Sequence, residues 1–102
     1  MEDFMSVFGN SIGEVSKIVS QYEVYVNRQK IGIKILLDIS GKYGYQLSHH
    51  YKGSKQASPY VSSVNHCYDN EFDALNKAHQ EMSMFYDEND ENAEWVENIF
   101  YN

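Results

Sequence analysis

Ile31, Ile33, Ile35, Leu37 and Ile39 stand at every second position of one short run, with Gly32, Lys34, Leu36 and Asp38 between them. A side-chain period of two belongs to an extended chain, whose successive residues point to opposite faces, so this run predicts a half-buried strand with its β-branched face on the core. A lone strand leaves its backbone donors and acceptors unpaired, and its neighbours must supply the ladder. Tyr22, Val24 and Val26 alternate before it, and Asn27 to Lys30 offers a turn. After the break at Ser40-Gly41-Lys42, the residues Tyr43, Tyr45, Leu47, His49 and Tyr51 share one face of a further strand, which together with the isoleucine run reads as an antiparallel hairpin. Lys52 to Pro59 has loop composition, and Tyr60 to Cys67 reads as a weaker strand.

The two ends change period. Phe4, Phe8, Ile12, Val15, Val19 and Tyr22 recur at helical spacing, and Ser11-x-x-Glu14 is a capping-box pattern, so a helix is expected over Ile12 to Ser20. Asp69 and Asn70 suit an N-cap, and Phe72, Leu75, His79, Met82 and Tyr86 follow at three- and four-residue steps. Beyond the acidic run Asp87 to Asn92, the pairs Trp95, Ile99 and Val96, Phe100 predict a short terminal helix. With 102 residues the chain is too short to bury two cores, so the expectation is a single α+β domain over residues 1–102. Its expected order is an N-terminal helix, a three- to four-stranded antiparallel meander, and two C-terminal helices packed on the sheet.

Several function classes find no support in the residues. No apolar run approaches the roughly 20 residues of a membrane helix, and the start Met1-Glu2-Asp3-Phe4 lacks a secretory signal, so no membrane association and a cytoplasmic location are expected. His66 and Cys67 are adjacent, which on a strand sends them to opposite faces, and Cys67 reads as a small buried apolar residue rather than a nucleophile. His49, His50 and His66 match no zinc spacing and read as surface or interface histidines. Asp87-x-Asn89-x-Glu91 resembles the start of a calcium loop, but Asn92 and Asn98 replace its glycine and closing glutamate. The six glycines are scattered, leaving no phosphate-binding loop. No catalytic residue, metal or cofactor is expected, and the protein reads as a non-enzyme.

Charge is the strongest remaining signal. The chain carries −7 overall, yet from Asp69 onward ten acids face Lys77 alone. Carboxylates three or four residues apart on a helix sit about 5–6 Å apart, near the phosphate spacing of a nucleic-acid strand. Glu91, Glu94 and Glu97, with Asp87, Glu88 and Asp90, would therefore suit a basic groove built for DNA or RNA, with Tyr86 and Trp95 as aromatic anchors. In composition and element order, and through the acidic aromatic run Phe85-Tyr86-Asp87-Glu88-Asn89-Asp90-Glu91-Asn92-Ala93-Glu94-Trp95, the chain resembles the small phage-encoded anti-defence proteins, including anti-CRISPR inhibitors that mimic DNA. That resemblance implies a stoichiometric inhibitor of a nucleic-acid-processing bacterial enzyme, such as a CRISPR effector or another nuclease, acting in the host bacterial cytoplasm. Two other readings use other parts of the chain. Tyr43, Tyr45, Tyr51 and Tyr60 beside Lys30, Lys34, Lys42 and Lys52 could stack and neutralise a single strand, although one arginine and a negative net charge make direct nucleic-acid binding the weaker expectation. An exposed sheet edge could instead pair two copies into a homodimer.

Overall fold

A computed structural model of the protein describes residues 16–62 and 66–101. The isoleucine run lies at the centre of a three-stranded antiparallel sheet, as strand β2 (Gln29–Asp38) between β1 (Ser16–Val26) and β3 (Tyr43–Leu47). Val26 faces Gln29 across a two-residue turn, in which Asn27 and Arg28 have φ of 50° and 76°. Positive φ at both central residues matches the right-handed twist of a hairpin. Asn tolerates that conformation; Arg28 holds it at a cost of about 1 kcal/mol. The second turn is organised by Asp38, whose carboxylate accepts hydrogen bonds from Ser40 N, Ser40 Oγ and Lys42 N at 2.6–2.9 Å, while Gly41 supplies a φ of 88°.

One face of this sheet makes the core. Ile31, Ile33 and Ile35 are essentially fully buried, with Tyr45 and Leu47 of β3 beside them. They are covered by helix α1 (Glu71–Ser83), which begins where Asn70 caps it by accepting from Asp73 N at 2.8 Å. The stripe that α1 buries is Ala74, Ala78, Glu81 and Met82, while Phe72 and His79 face outward. Alanines let the helix lie close on the isoleucine ridge. At its N-terminal end Glu71 accepts from Ser20 Oγ at 2.7 Å and Tyr22 Oη at 2.8 Å, tying α1 to β1.

At Ser48 the chain leaves the first sheet. Ser48 N donates to Gly32 O and its hydroxyl accepts from Gly32 N, and the next residues form β4 (His49–Lys52), which pairs antiparallel with β5 (Glu94–Glu97). Asn98 locks this corner: its N–H donates to Ser48 O at 2.8 Å and its side-chain amide to Leu47 O at 2.9 Å. The last residues then cross the far face of the sheet. There the Lys34 ammonium donates to Tyr101 O and stands 4.1 Å from the centre of that ring, and Gln46 donates to Phe100 O.

Four expectations are corrected. Ser16 to Ser20 lie in β1, not in an N-terminal helix, because a two-residue turn sets β1 against the full length of β2, and that pairing overrides the local helical pattern; residues 12–15 lie outside the described part. The terminal helix is a strand, because β4 offers an open edge and Trp95 docks on Tyr51 with ring centres 5.1 Å apart. Among the described residues there is thus one helix with five strands in two antiparallel sheets. The span 60–67 forms no strand among its described residues; only Tyr68 bridges to Tyr43. Because Tyr68 packs toward the core, its neighbour Cys67 is exposed rather than buried.

Gly32 is where the C-terminal segment is closest to the sheet: a Cβ there would stand 2.9 Å from Tyr101 Cζ. Gly32→Ala is expected to lift the Tyr101 ring and lower stability by about 1 kcal/mol. In a Tyr101→Ala background the same substitution should cost nearly nothing. Urea denaturation of the two single variants and the double variant measures that coupling.

Candidate functional site

Two concave surfaces flank β5, one on each side. On the Trp95 side, the tip of the β1–β2 hairpin, Val26 to Gln29, faces the 86–95 segment across a cleft of about 400 Å³. Its floor is aromatic. The rings of Tyr51 and Tyr86 meet edge to face at 5.3 Å, Tyr51 and Trp95 do so at 5.1 Å, and Tyr86 and Trp95 stack at 6.2 Å. Asp87, Glu88, Asp90 and Glu94 stand around these rings. Six of the eight residues singled out in the sequence, Tyr86, Asp87, Glu88, Asp90, Glu94 and Trp95, are therefore brought to one place.

Their roles differ. The Tyr51 hydroxyl donates to Asp87 O at 3.3 Å and accepts from Asp87 N at 3.2 Å, which fixes the start of the acidic loop. Asp87 in turn accepts from Asn89 N. Asp90 is a loop anchor: Oδ2 accepts from Ser54 N at 2.9 Å and Ser54 Oγ at 3.0 Å, and Oδ1 from Asn92 N. These donors, led by the Ser54 amide, hold the Asp90 carboxyl below its ordinary range. Glu88, Glu91, Glu94 and Glu97 form no ion pair among the described residues, although Lys52 stands opposite Glu94 and His49 opposite Glu97 in the ladder.

The helical spacing expected of Glu91, Glu94 and Glu97 is overturned. Glu94 to Glu97 form a strand, on which residues three apart lie about 10 Å from each other, and Glu97, at the far end of that strand, lines the groove with Val96 instead of the cleft. Glu91 lies on the wall of neither. Arg28, Asn27 and Tyr51 belong to the cleft but carry no signal of it in the sequence, since the hairpin tip is far from the acidic run along the chain. Arg28 brings a cation to the acidic wall.

The Val96 side holds a second constellation. Glu81 is buried at 7% exposure and accepts from the Tyr45 hydroxyl at 2.7 Å. His50 Nδ1 stands 3.2 Å from the other carboxylate oxygen, without the alignment of a hydrogen bond. Burial, and then the hydrogen bond to Glu81, push the Tyr45 phenol well above its ordinary range. The His50 side chain, 13% exposed, is thus mostly covered by the fold itself, where a surface or interface histidine is expected from the sequence. The available signal was positional: Glu81 follows Ala74 and Ala78 at helical steps and so had to share their face.

The basic residues of the sheet are engaged internally. Lys30 pairs with Glu23 at 3.4 Å, Lys42 with Asp69 at 2.7 Å, and Lys34 with Tyr101, while Tyr45 and Tyr51 are buried. Among the described residues no group of three or more His, Cys, Asp or Glu is placed to hold a metal ion, and no helix is long and apolar enough to cross a membrane. Comparison with protein-family models, curated proteins and solved structures gave no match.

Two stability outcomes follow from these contacts. A carboxyl held low in the fold stabilises it above the unfolded pKa of about 3.9, and that contribution disappears as pH falls through the lower folded value. Asp90→Asn should therefore flatten the acid limb of stability against pH, measured by urea midpoints from neutral pH downward. Tyr45→Phe removes the donor from a buried carboxylate and should cost about 1–3 kcal/mol. For a phenol held high the sign reverses: the contribution is full below an unfolded pKa of about 10 and is lost above it, so the variant and the parent should converge in alkali.

Proposed function

We propose that this protein is a stoichiometric, non-catalytic binding protein that engages a basic nucleic-acid-binding surface of a partner protein through the acidic aromatic cleft and the 87–94 loop beside it. The observation that carries this reading is the coincidence, in one cleft, of a three-ring aromatic floor with Asp87, Glu88, Asp90 and Glu94. An aromatic face attracts a cation through its quadrupole, worth about 0.5–1 kcal/mol at an exposed site, and a neighbouring carboxylate adds a charge-assisted hydrogen bond. Arginine and lysine side chains, which a nucleic-acid-binding surface displays in number, meet both requirements. The carboxylates outside the cleft would act at longer range, steering a basic partner toward it. The resemblance to phage anti-defence proteins supports an inhibitor of a nuclease or CRISPR effector as the form this binding takes. The acidic helices of that comparison are replaced here by a loop and a strand, so the mode of action is a cleft with charged walls and not a helical imitation of a phosphate row.

The alternative through the tyrosines of the sheet has less surface to draw on, since Tyr45 and Tyr51 are interior and Lys34 contacts Tyr101, while Lys30 and Lys42 are about half exposed in surface ion pairs. Pairing of two copies through a sheet edge meets a different obstacle: β3, the last strand of the meander, is partly taken by the bridge from Tyr43 to Tyr68, and the other edge is β1. The register shift between Ile18 and Ser20 interrupts that edge, and irregularities of this kind blunt edge-to-edge pairing.

The test separates carboxylates that hold the loop from those that face outward. A triple variant Glu88→Gln, Glu91→Gln, Glu94→Gln keeps Asp87 and Asp90 and should fold normally. In pull-downs from bacterial lysate, proteins retained by the parent should be lost with the variant, displaced by added duplex DNA or single-stranded RNA, and released at high salt. Retention that neither the variant nor the nucleic acid diminishes would reject the reading.

A further inference from the structure

We propose that the groove on the Val96 side of β5 binds an alkylammonium group, an aliphatic stem ending in a protonated amine, supplied by a free amine or by a lysine side chain. The groove encloses about 450 Å³, within the size range of small-ligand sites. Leu47, Pro59, Val61 and Val96 give it apolar walls, and Ile99 and Phe100 stand at its mouth 79% and 78% exposed. An apolar stem is what such walls would cover.

The head group follows from the floor. The Glu81 side chain is 5% exposed and reaches the groove beside Tyr45 and His50. A carboxylate offers about four acceptor sites, and among the described residues this one receives a single aligned donor, the Tyr45 hydroxyl at 2.7 Å. His50 Nδ1, 3.2 Å from its other oxygen, is itself buried and makes no hydrogen bond among the described residues. A buried carboxylate short of donors favours a ligand that brings them. Glu97 adds a second negative charge to the lining, and the lining contains no lysine or arginine. Both features select a cation and oppose an anion. Cation and stem together describe an alkylammonium ion, whose methylenes lie on apolar surface while its head meets charge.

This site is independent of the proposed partner-binding cleft. Trp95 and Val96 are neighbours on a strand and point to opposite sides, so the two surfaces can be tested apart.

An amide-resolved NMR titration of the full chain with hexylammonium, hexanol and hexanoate tests it. Hexylammonium should give saturable shifts at Leu47, His50, Val96 and Ile99, binding roughly tenfold tighter than hexanol, with no binding of hexanoate. Val61→Lys, at an exposed position on the rim, should fold normally, occupy the groove with its own side chain and abolish the titration. Glu81→Gln should erase the preference for the amine over the alcohol. Nα-acetyl-lysine methylamide binding as well as hexylammonium assigns the site to lysine side chains; binding of hexylammonium alone assigns it to free amines. Equal binding of all three hexyl compounds, shifts located elsewhere, or an undiminished titration of Val61→Lys would overturn the proposal.

Discussion

Ala74 and Ala78 are fully buried in one cluster with Ile31, Ile33 and Ile35 of β2 and Tyr45 and Leu47 of β3, and the close approach of helix to sheet that these small side chains allow sets the position of much else. A helix resting on larger residues would stand farther off. Glu81, one turn beyond Ala78, would then no longer reach the Tyr45 hydroxyl, and its carboxylate would be left between an apolar interior and water. The same contact aims the end of α1 toward β4, so the chain leaving it through Phe85 and Tyr86 arrives against Tyr51. Core packing and the aromatic floor of the cleft are thus consequences of one interface.

The second organising element is the corner at Ser48. A continuous β3–β4 strand would have carried Tyr51 onto the same face as Tyr43 and Tyr45, in one extended sheet. Turning the chain at Ser48, with Gly32 and Asn98 satisfying its backbone, makes two sheets instead. It gives β5 an edge to join, and it places a single strand between two concavities of different character. On one side are rings and several carboxylates near solvent. On the other are aliphatic walls closing on one interior carboxylate.

Legibility in the sequence follows the range of the interactions involved. The alternation from Ile31 to Leu37, the Ser40-Gly41-Lys42 turn and the Asn70 cap depend on neighbours within a few residues and stand where the residues place them, whereas Ile39 falls beyond β2 in the turn and is 70% exposed. The first half of β1 and all of β5 depart from the helical reading because their conformation is decided by partners elsewhere in the chain, while Tyr22, Val24 and Val26 extend as their alternation predicts. Ser16 to Ser20 extend because β2 needs a partner along its length, and Glu94 to Glu97 because β4 has an open edge. The aromatic and acidic members of the cleft were visible as a cluster, since they lie within ten residues of one another. Arg28 and Tyr51, which complete it, come from hairpins that only the fold brings near, and Glu97 was misassigned because the period of the segment changed from helical to extended. The Tyr45, Glu81 and His50 contact joins a strand, a helix and a second strand, and no local pattern announces such a meeting.

Trp95 is the only tryptophan in the chain, and its indole forms part of the cleft floor beside Tyr51 and Tyr86. The molecule therefore carries its one indole at the surface where the proposed partner would arrive. Excited at the red edge of the absorption band, where tyrosine absorbs little, its emission responds to water, to nearby carboxylates and to a stacked guanidinium, with little contribution from the tyrosines of the core and the opposite groove. Occupancy of this one wall can be followed in the unlabelled protein by light alone.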